Sequence, residues 1–270
     1  MRAREALSAA AARLAASETP RLDAELLMAH ALGLTREELL LAHLDGEVPD
    51  AFEPLLARRE AGEPIAYITS CRDFWTISLE VGPGVLVPRP DSETLLDAAV
   101  AHFGAGAPRT ILDLGTGPGT LLLAALDQWP EARGVGVDAS EAALAYARRN
   151  AQRLGLAGRA EFRLADWAEG LEGPFDLILC NPPYVAEGAR LPRDVAEWEP
   201  HEALFAAADG LSEYRRLATA IPPLLADGIA CIEIGLGQEG DVTALFEAAG
   251  LRVGARRDLA GIVRCLTLSR

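Results

Sequence analysis

The chain contains no lysine. All 25 of its basic residues are arginines, set against 40 acidic ones, for a net charge of −15. Nonspecific affinity for DNA or RNA comes from cations that displace counterions at phosphates, so strong nonspecific nucleic-acid binding is not expected of so acidic a protein. Cysteine is scarce. Cys71, Cys180, Cys231 and Cys265 form no C-x-x-C pair, and His30, His43, His102 and His201 fall in no zinc-ligand spacing, which speaks against a disulfide framework and a metal site. The start, Met1-Arg2-Ala3-Arg4-Glu5, runs into an alanine-rich stretch broken by Arg13 and Glu18, without a sustained apolar segment of signal type. No later run reaches the length of a membrane span. These absences predict a reduced cytoplasmic protein with no membrane partner, and a monomer is expected.

What is present is apolar substance. Half of the 270 residues are hydrophobic and 24% are charged, enough for a catalytic domain carrying a smaller one. Residues 3 to 62 have helical patterning. Thr19-Pro20 reads as an N-cap and first helical position, with Leu22, Leu26 and Ala29 on one face and Gly33 closing the helix. Thr35 to Glu38 has capping-box spacing ahead of Leu39-Leu40-Leu41. A bundle of about four short helices follows from this, serving as a stability appendage or as a substrate-docking module. From 64 to 88 the β-branched and aromatic weight of Tyr67, Ile68, Phe74, Trp75, Ile77 and Leu79, with Gly82-Pro83-Gly84 as a turn, predicts a hairpin linker. The expected division is a helical docking domain over 1–63, a hairpin over 64–88 and a catalytic domain over 89–270.

Beyond Pro108, short apolar runs alternate with helical stretches. Strands are expected at 111–114, 134–137, 160–164, 175–180 and 229–234, with helices to Gln128, from Ser140 to Leu154, around Leu211 to Leu225 and near Gly240 to Ala249. Such alternation predicts an α/β fold, a doubly wound parallel sheet. The last two runs, 251–255 and 263–268, have no helix between them and fit an antiparallel pair.

The first of these strands ends in Gly115-Thr116-Gly117-Pro118-Gly119-Thr120, preceded by Asp113. Glycines there permit positive φ and close backbone approach to a ligand. The dinucleotide fingerprint places a small residue where Thr120 stands, so the turn looks more like the S-adenosylmethionine (AdoMet) turn of class I methyltransferases. Asp138 ends the second strand, where a carboxylate serves the ribose hydroxyls of either cofactor. Asp166-Trp167 follows the third, where the acid can take an adenine amino group and the indole can cover the purine, or where both serve as cap and core.

The fourth strand runs directly into Asn181-Pro182-Pro183-Tyr184. Two prolines stiffen the turn and donate no backbone N–H, Asn181 supplies an amide with a donor and an acceptor face, and Tyr184 supplies an aromatic plate. This set suits a planar nitrogen nucleophile, with oxygens of Asn181 and Pro182 accepting its N–H bonds, and it resembles the signature of methyltransferases acting on amide or exocyclic amino nitrogens. The tetrapeptide alone leaves DNA adenine, RNA guanine and protein glutamine open as acceptors.

The flanking segments are more specific. Glu63-Pro64-Ile65-Ala66-Tyr67-Ile68, Phe74-Trp75, Val85 to Glu93 with Pro88-Arg89-Pro90, Glu199-Pro200-His201-Glu202-Ala203-Leu204, Glu233-Ile234-Gly235 with Gln238, and Asp258-Leu259-Ala260-Gly261 together resemble the HemK/PrmC family over nearly the whole chain. That resemblance implies a class I AdoMet-dependent fold with a seven-stranded sheet whose last strand is antiparallel. It implies protein-(glutamine-N5) methylation of the Gly-Gly-Gln glutamine of class 1 peptide-chain release factors, with S-adenosylhomocysteine as product. It assigns AdoMet to Gly115, Thr116, Gly117, Pro118, Gly119, Asp138, Trp167 and Asn181, and the glutamine to Asn181, Pro182, Pro183 and Tyr184, with Asn181, Pro182 and Tyr184 as the catalytic set. Arg89 is expected to pair with Glu93, and Phe74 and Trp75 to line a substrate channel or pack the hairpin. Glutamine methylation of a ribosomal protein and amino methylation of nucleic acid are the alternatives. The sequence departs from the family pattern at Ser70, Cys71, Ser92 and Pro118, the last removing an N–H that could face the AdoMet carboxylate.

Overall fold

The computed structural model describes residues 2–270, which fall into two compact units. One runs to Cys71 and takes in Leu191–Trp198; the other holds Arg72–Arg190 and Glu199–Arg270. Among the described residues no helix is long and apolar enough to cross a membrane.

The smaller unit is helical: α1 (Ala3–Arg13), α2 (Pro20–Leu32), α3 (Arg36–Glu38) continuing into a π-helical turn at Leu39–His43, α4 (Phe52–Glu60), α5 (Ile65–Thr69) and, from later in the chain, α9 (Arg193–Trp198). Leu7, Leu27, Met28, Leu39, Phe52, Leu56 and Ile68 form its core. The capping box at Thr35 and Glu38 is present, and Gly33 closes α2 at φ 68°. The face expected of α2 is rotated, however: Leu22 is exposed, while Asp23 and Glu25 are buried with Ala24, Leu27 and Met28. Ion pairs make this possible, since Asp23 meets Arg59 at 2.8 Å and Glu25 meets Arg21 at 2.6 Å and Arg36 at 2.8 Å, so these acids enter the interior with their charge matched.

The hairpin is shorter than expected. Ile65–Thr69 is helical, begun by Pro64 and ended by Ser70 at φ 56°, because Ile68 packs into the helical core and burial overrides the strand preference of its neighbours. Only β1 (Cys71–Phe74) and β2 (Ile77–Glu80) pair, turning at Trp75-Thr76, and Gly82-Pro83-Gly84 lies beyond them. From Arg72 on, the hairpin belongs to the larger unit, held there by Thr76 Oγ1 to Asp127 and by Trp75 Nε1 to Gln128. The chain therefore divides at Cys71 instead of at residue 63, and the hairpin is no separate linker.

The larger unit continues with α6 (Glu93–Phe103), β3 (Thr110–Leu114), α7 (Thr120–Gln128), β4 (Arg133–Asp138), α8 (Glu141–Arg153), β5 (Ala160–Leu164), β6 (Phe175–Cys180), α10 (Ser212–Leu224), β7 (Leu225–Glu233), α11 (Glu239–Ala248), β8 (Arg252–Arg257) and β9 (Val263–Ser269). Every strand read from the sequence is present. The sheet order is β5-β4-β3-β6-β7-β9-β8, with β3 to β7 parallel and β9 antiparallel to its neighbours β7 and β8. The central strands are buried on both faces, as in Leu177 to Cys180, which is why they read as continuous apolar runs. Charged Glu161 and Arg163 on β5 and Arg252, Arg256 and Arg257 on β8 mark the two edges, where they discourage further pairing. The order reverses between β3 and β6, and an open α/β sheet binds ligands outside the carboxyl ends of the strands at such a point.

Candidate active site

Two turns leave the sheet at this reversal: the glycine turn after β3 and Asn181 to Tyr184 after β6. Gly115, Gly117 and Gly119 all have left-handed φ, of 72°, 56° and 88°. A Cβ at Gly119 would also come within 2.7 Å of Leu123 Cδ1, so this glycine shapes the start of α7. The N–H groups of Gly115 and Thr116 donate to Val137 O, latching the turn to β4. Beneath it Asp113 is buried, with Oδ2 accepting from Thr116 Oγ1 at 2.6 Å and Leu122 N at 3.1 Å, and burial pushes its carboxyl up to about 7. Among the described residues its Oδ1 has no hydrogen-bond partner.

Asp138 binds the turn as well as facing the cleft: Oδ2 accepts from Gly117 N at 2.8 Å and Oδ1 from Ser140 N at 2.9 Å. Burial raises its carboxyl above the ordinary value, against those bonds. Pro118 gives up an N–H, but its carbonyl accepts from Asn150 Nδ2 at 2.9 Å. Asn150, wholly buried, also grips the backbone N–H and carbonyl of Glu80, tying the turn to the hairpin. A lone asparagine in a helical pattern gave no hint of this.

Trp167 takes φ 50°, unusual for a bulky residue and a mark of local constraint. Its Nε1 donates to Glu213 Oε2 at 2.7 Å, and its ring edge lies where a Cβ on Gly115 would meet it at 3.4 Å. Asp166 is ion-paired with Arg216 at 2.5 Å. Gly115 through Pro118, Asp138, Trp167, Asn181 and Pro183 all line one cleft of about 650 Å³, together with the Pro200 to Ala203 segment. Gly119, Pro182 and Tyr184 are not among its lining residues. Tyr184 is instead tied by its hydroxyl to Glu233 Oε1 at 3.1 Å.

Arg89 does not pair with Glu93. It meets the buried Glu199 at 2.5 Å, whose other oxygen accepts from Val87 N, while Glu93 accepts from Trp75 N. The pairing follows from burial: Glu199 lies inside the larger unit and requires a charged partner there. Phe74 is a core residue, and neither it nor Trp75 lines the cleft.

The PrmC N-terminal domain matches residues 5–69, and a methyltransferase domain matches residues 107–214. The release factor glutamine methyltransferase of Rhodospirillum rubrum is 45% identical over 96% of this chain and 81% of its own length, and that of Cereibacter sphaeroides is 44% identical over 97% and 96%. The chain belongs to the release factor glutamine methyltransferase family. A methyltransferase from Pyrococcus furiosus, 18% identical, superposes with a TM-score of 0.54 over 79% of this chain and 96% of its own, which shows the shared class I methyltransferase fold.

A member of this family uses an AdoMet-type cofactor, and the residues of the cleft fit one. The glycines of the turn take the left-handed φ that lets backbone form the cleft wall, the walls carry the acidic residues Asp138 and Glu202 suited to a cationic ligand, and Trp167 offers an aromatic surface. Sequence reasoning missed Glu213 and Arg216, which fix Trp167 and Asp166, and gave no role to Ser92 or Glu233. Burial pushes the Glu233 carboxyl up to about 7, opposed by the hydroxyls of Ser92 and Tyr184. The folded protein therefore keeps a proton on Glu233 between its ordinary value of 4.5 and about 7, where the unfolded chain has lost it. This group's contribution to stability is fully present below 4.5 and declines as pH rises to about 7. The melting temperature of Glu233→Gln, lacking that titration, is expected to rise relative to wild type across this window. A difference independent of pH would contradict the shift.

Proposed function

We propose that this protein transfers the methyl group of AdoMet to the side-chain amide nitrogen of the glutamine in the Gly-Gly-Gln segment of class 1 release factors. The observation that carries this reading is the placement of Asn181, at the end of β6, in the same cleft wall as the glycine turn and Asp138. AdoMet, when bound, supplies a sulfonium-activated methyl group. Gly115 to Gly119 and Asp138 hold that cofactor, Asp138 by accepting the ribose hydroxyls, and Trp167 covers the adenine. Asn181 Oδ1, at the cleft wall, accepts an N–H bond of the glutamine amide and orients its nitrogen in line with the methyl group.

An amide nitrogen is a weak nucleophile, its lone pair delocalised into the carbonyl. Orientation and fixed oxygens that stabilise the positive charge developing on nitrogen are therefore the means of catalysis. The amide nitrogen would gain the methyl group as that group's bond to sulfur breaks, and the alkylated amide would release its extra proton to solvent. Fragmentation mass spectrometry of a treated release factor tests this: a single added methyl on the Gly-Gly-Gln glutamine side chain is expected, and methyl elsewhere would overturn it.

The helical unit is proposed to dock the protein substrate. Deleting residues 1–62 is expected to raise KM for full-length release factor at least tenfold, as loss of a docking surface of a few kcal/mol requires, with little effect on AdoMet binding. Equal KM for the truncated and intact enzymes would refute the docking role.

A further inference from the structure

Ser92, Asn181 and Glu233 come from three parts of the chain and form one hydrogen-bonded line. Ser92 immediately precedes α6 and Glu233 ends β7, both buried, and Asn181 follows β6. Asn181 Nδ2 donates to Ser92 Oγ at 3.1 Å, and Ser92 Oγ donates to Glu233 Oε2 at 2.5 Å. The other oxygen of Glu233 accepts from the Tyr184 hydroxyl, and the Glu233 carbonyl accepts from the Tyr214 hydroxyl at 3.0 Å. Gln238 completes the frame, donating from Nε2 to Tyr184 O at 3.0 Å and accepting at Oε1 from Gly235 N at 2.8 Å. One carboxylate thus braces both ends of the Asn181 to Tyr184 turn.

We propose that Ser92 and Glu233 are positioning residues that fix which face of the Asn181 side-chain amide meets the substrate. The inventory of donors dictates the outcome. Above about pH 7, where Glu233 is ionised, its carboxylate only accepts, so it takes the one hydrogen of the Ser92 hydroxyl. The serine oxygen then has only lone pairs to offer, and of the two ends of the Asn181 amide only Nδ2 can meet them. Oδ1 is left for the cleft, which Ser92 and Asn181 both line. There it accepts from an incoming amide N–H, whereas a flipped amide would set its own NH₂ against that N–H. Without the relay the two orientations of Asn181 differ little in energy, and a share of the enzyme presents the wrong group. This inference rests on the proposed glutamine acceptor.

The test compares Ser92→Thr, Ser92→Val and Ser92→Ala in the full-length protein, with kcat and KM for a release factor, AdoMet affinity by calorimetry and melting temperature measured for each. Threonine and valine have the same branched shape and differ in the hydroxyl, so any crowding they cause is shared. The expected result is kcat near wild type for Ser92→Thr and reduced about tenfold or more for Ser92→Val and Ser92→Ala, the effect of one misdirected hydrogen bond, with AdoMet affinity alike in all three. Valine as active as threonine, alanine as active as wild type, or a loss confined to AdoMet affinity would overturn the proposal while wild-type transfer to glutamine stands. A wild-type enzyme that leaves the glutamine unmodified removes the functional reading and this inference with it.

Discussion

Asn181→Ala is expected to slow methyl transfer by about 10²–10³-fold, the cost of removing one preorganised polar group from a transition state that develops charge. The loss should fall on kcat, because the Asn181 side chain is held by Ser92 and the proposed reading gives it to the acceptor amide, while giving cofactor affinity mainly to the glycine turn and Asp138. Calorimetry of AdoMet binding beside single-turnover kinetics separates the two. Lost AdoMet binding with unchanged turnover of the complex that still forms would assign Asn181 to the cofactor instead of the acceptor.

Asp138→Ala should act in the opposite sense, weakening AdoMet binding by about 10- to 100-fold, or roughly 1.5–3 kcal/mol for losing a charged acceptor. Two effects combine here. On the proposed reading the ribose hydroxyls lose their carboxylate, and Gly117 N loses the acceptor that holds the turn at 2.8 Å. Asp138→Asn, which keeps one oxygen and lacks the charge, should fall between alanine and wild type. An unchanged dissociation constant in the alanine variant would contradict the assignment.

The sheet was legible because its strands are buried on both faces and so stand out as apolar runs between glycine turns, as at Ile111 to Leu114 and Leu177 to Cys180. Asn181 to Tyr184 stood out for a related reason: a polar amide and two prolines directly after a core strand break its apolar run, although Pro182 is itself buried. The helical unit was harder. Asp23 and Glu25 look like solvent-facing acids until their arginine partners are seen, and Arg59 lies far along the chain from Asp23. Helix α5 was hidden because β-branched and aromatic residues were judged by local preference when their burial in a helical core decides their state. The bracing of the site by Ser92, Glu233 and Gln238 was invisible for the same reason that Arg89 was assigned the wrong partner. These contacts join residues on different strands and loops, and sequence spacing carries no signal for them.

The most direct measurement is transfer of labelled methyl from AdoMet to a purified class 1 release factor, beside the same factor with its Gly-Gly-Gln glutamine replaced and beside duplex DNA. Label on the intact factor alone is expected. Label on DNA, on the glutamine-replaced factor, or on none of the three would contradict glutamine methylation of release factors as the activity of this protein.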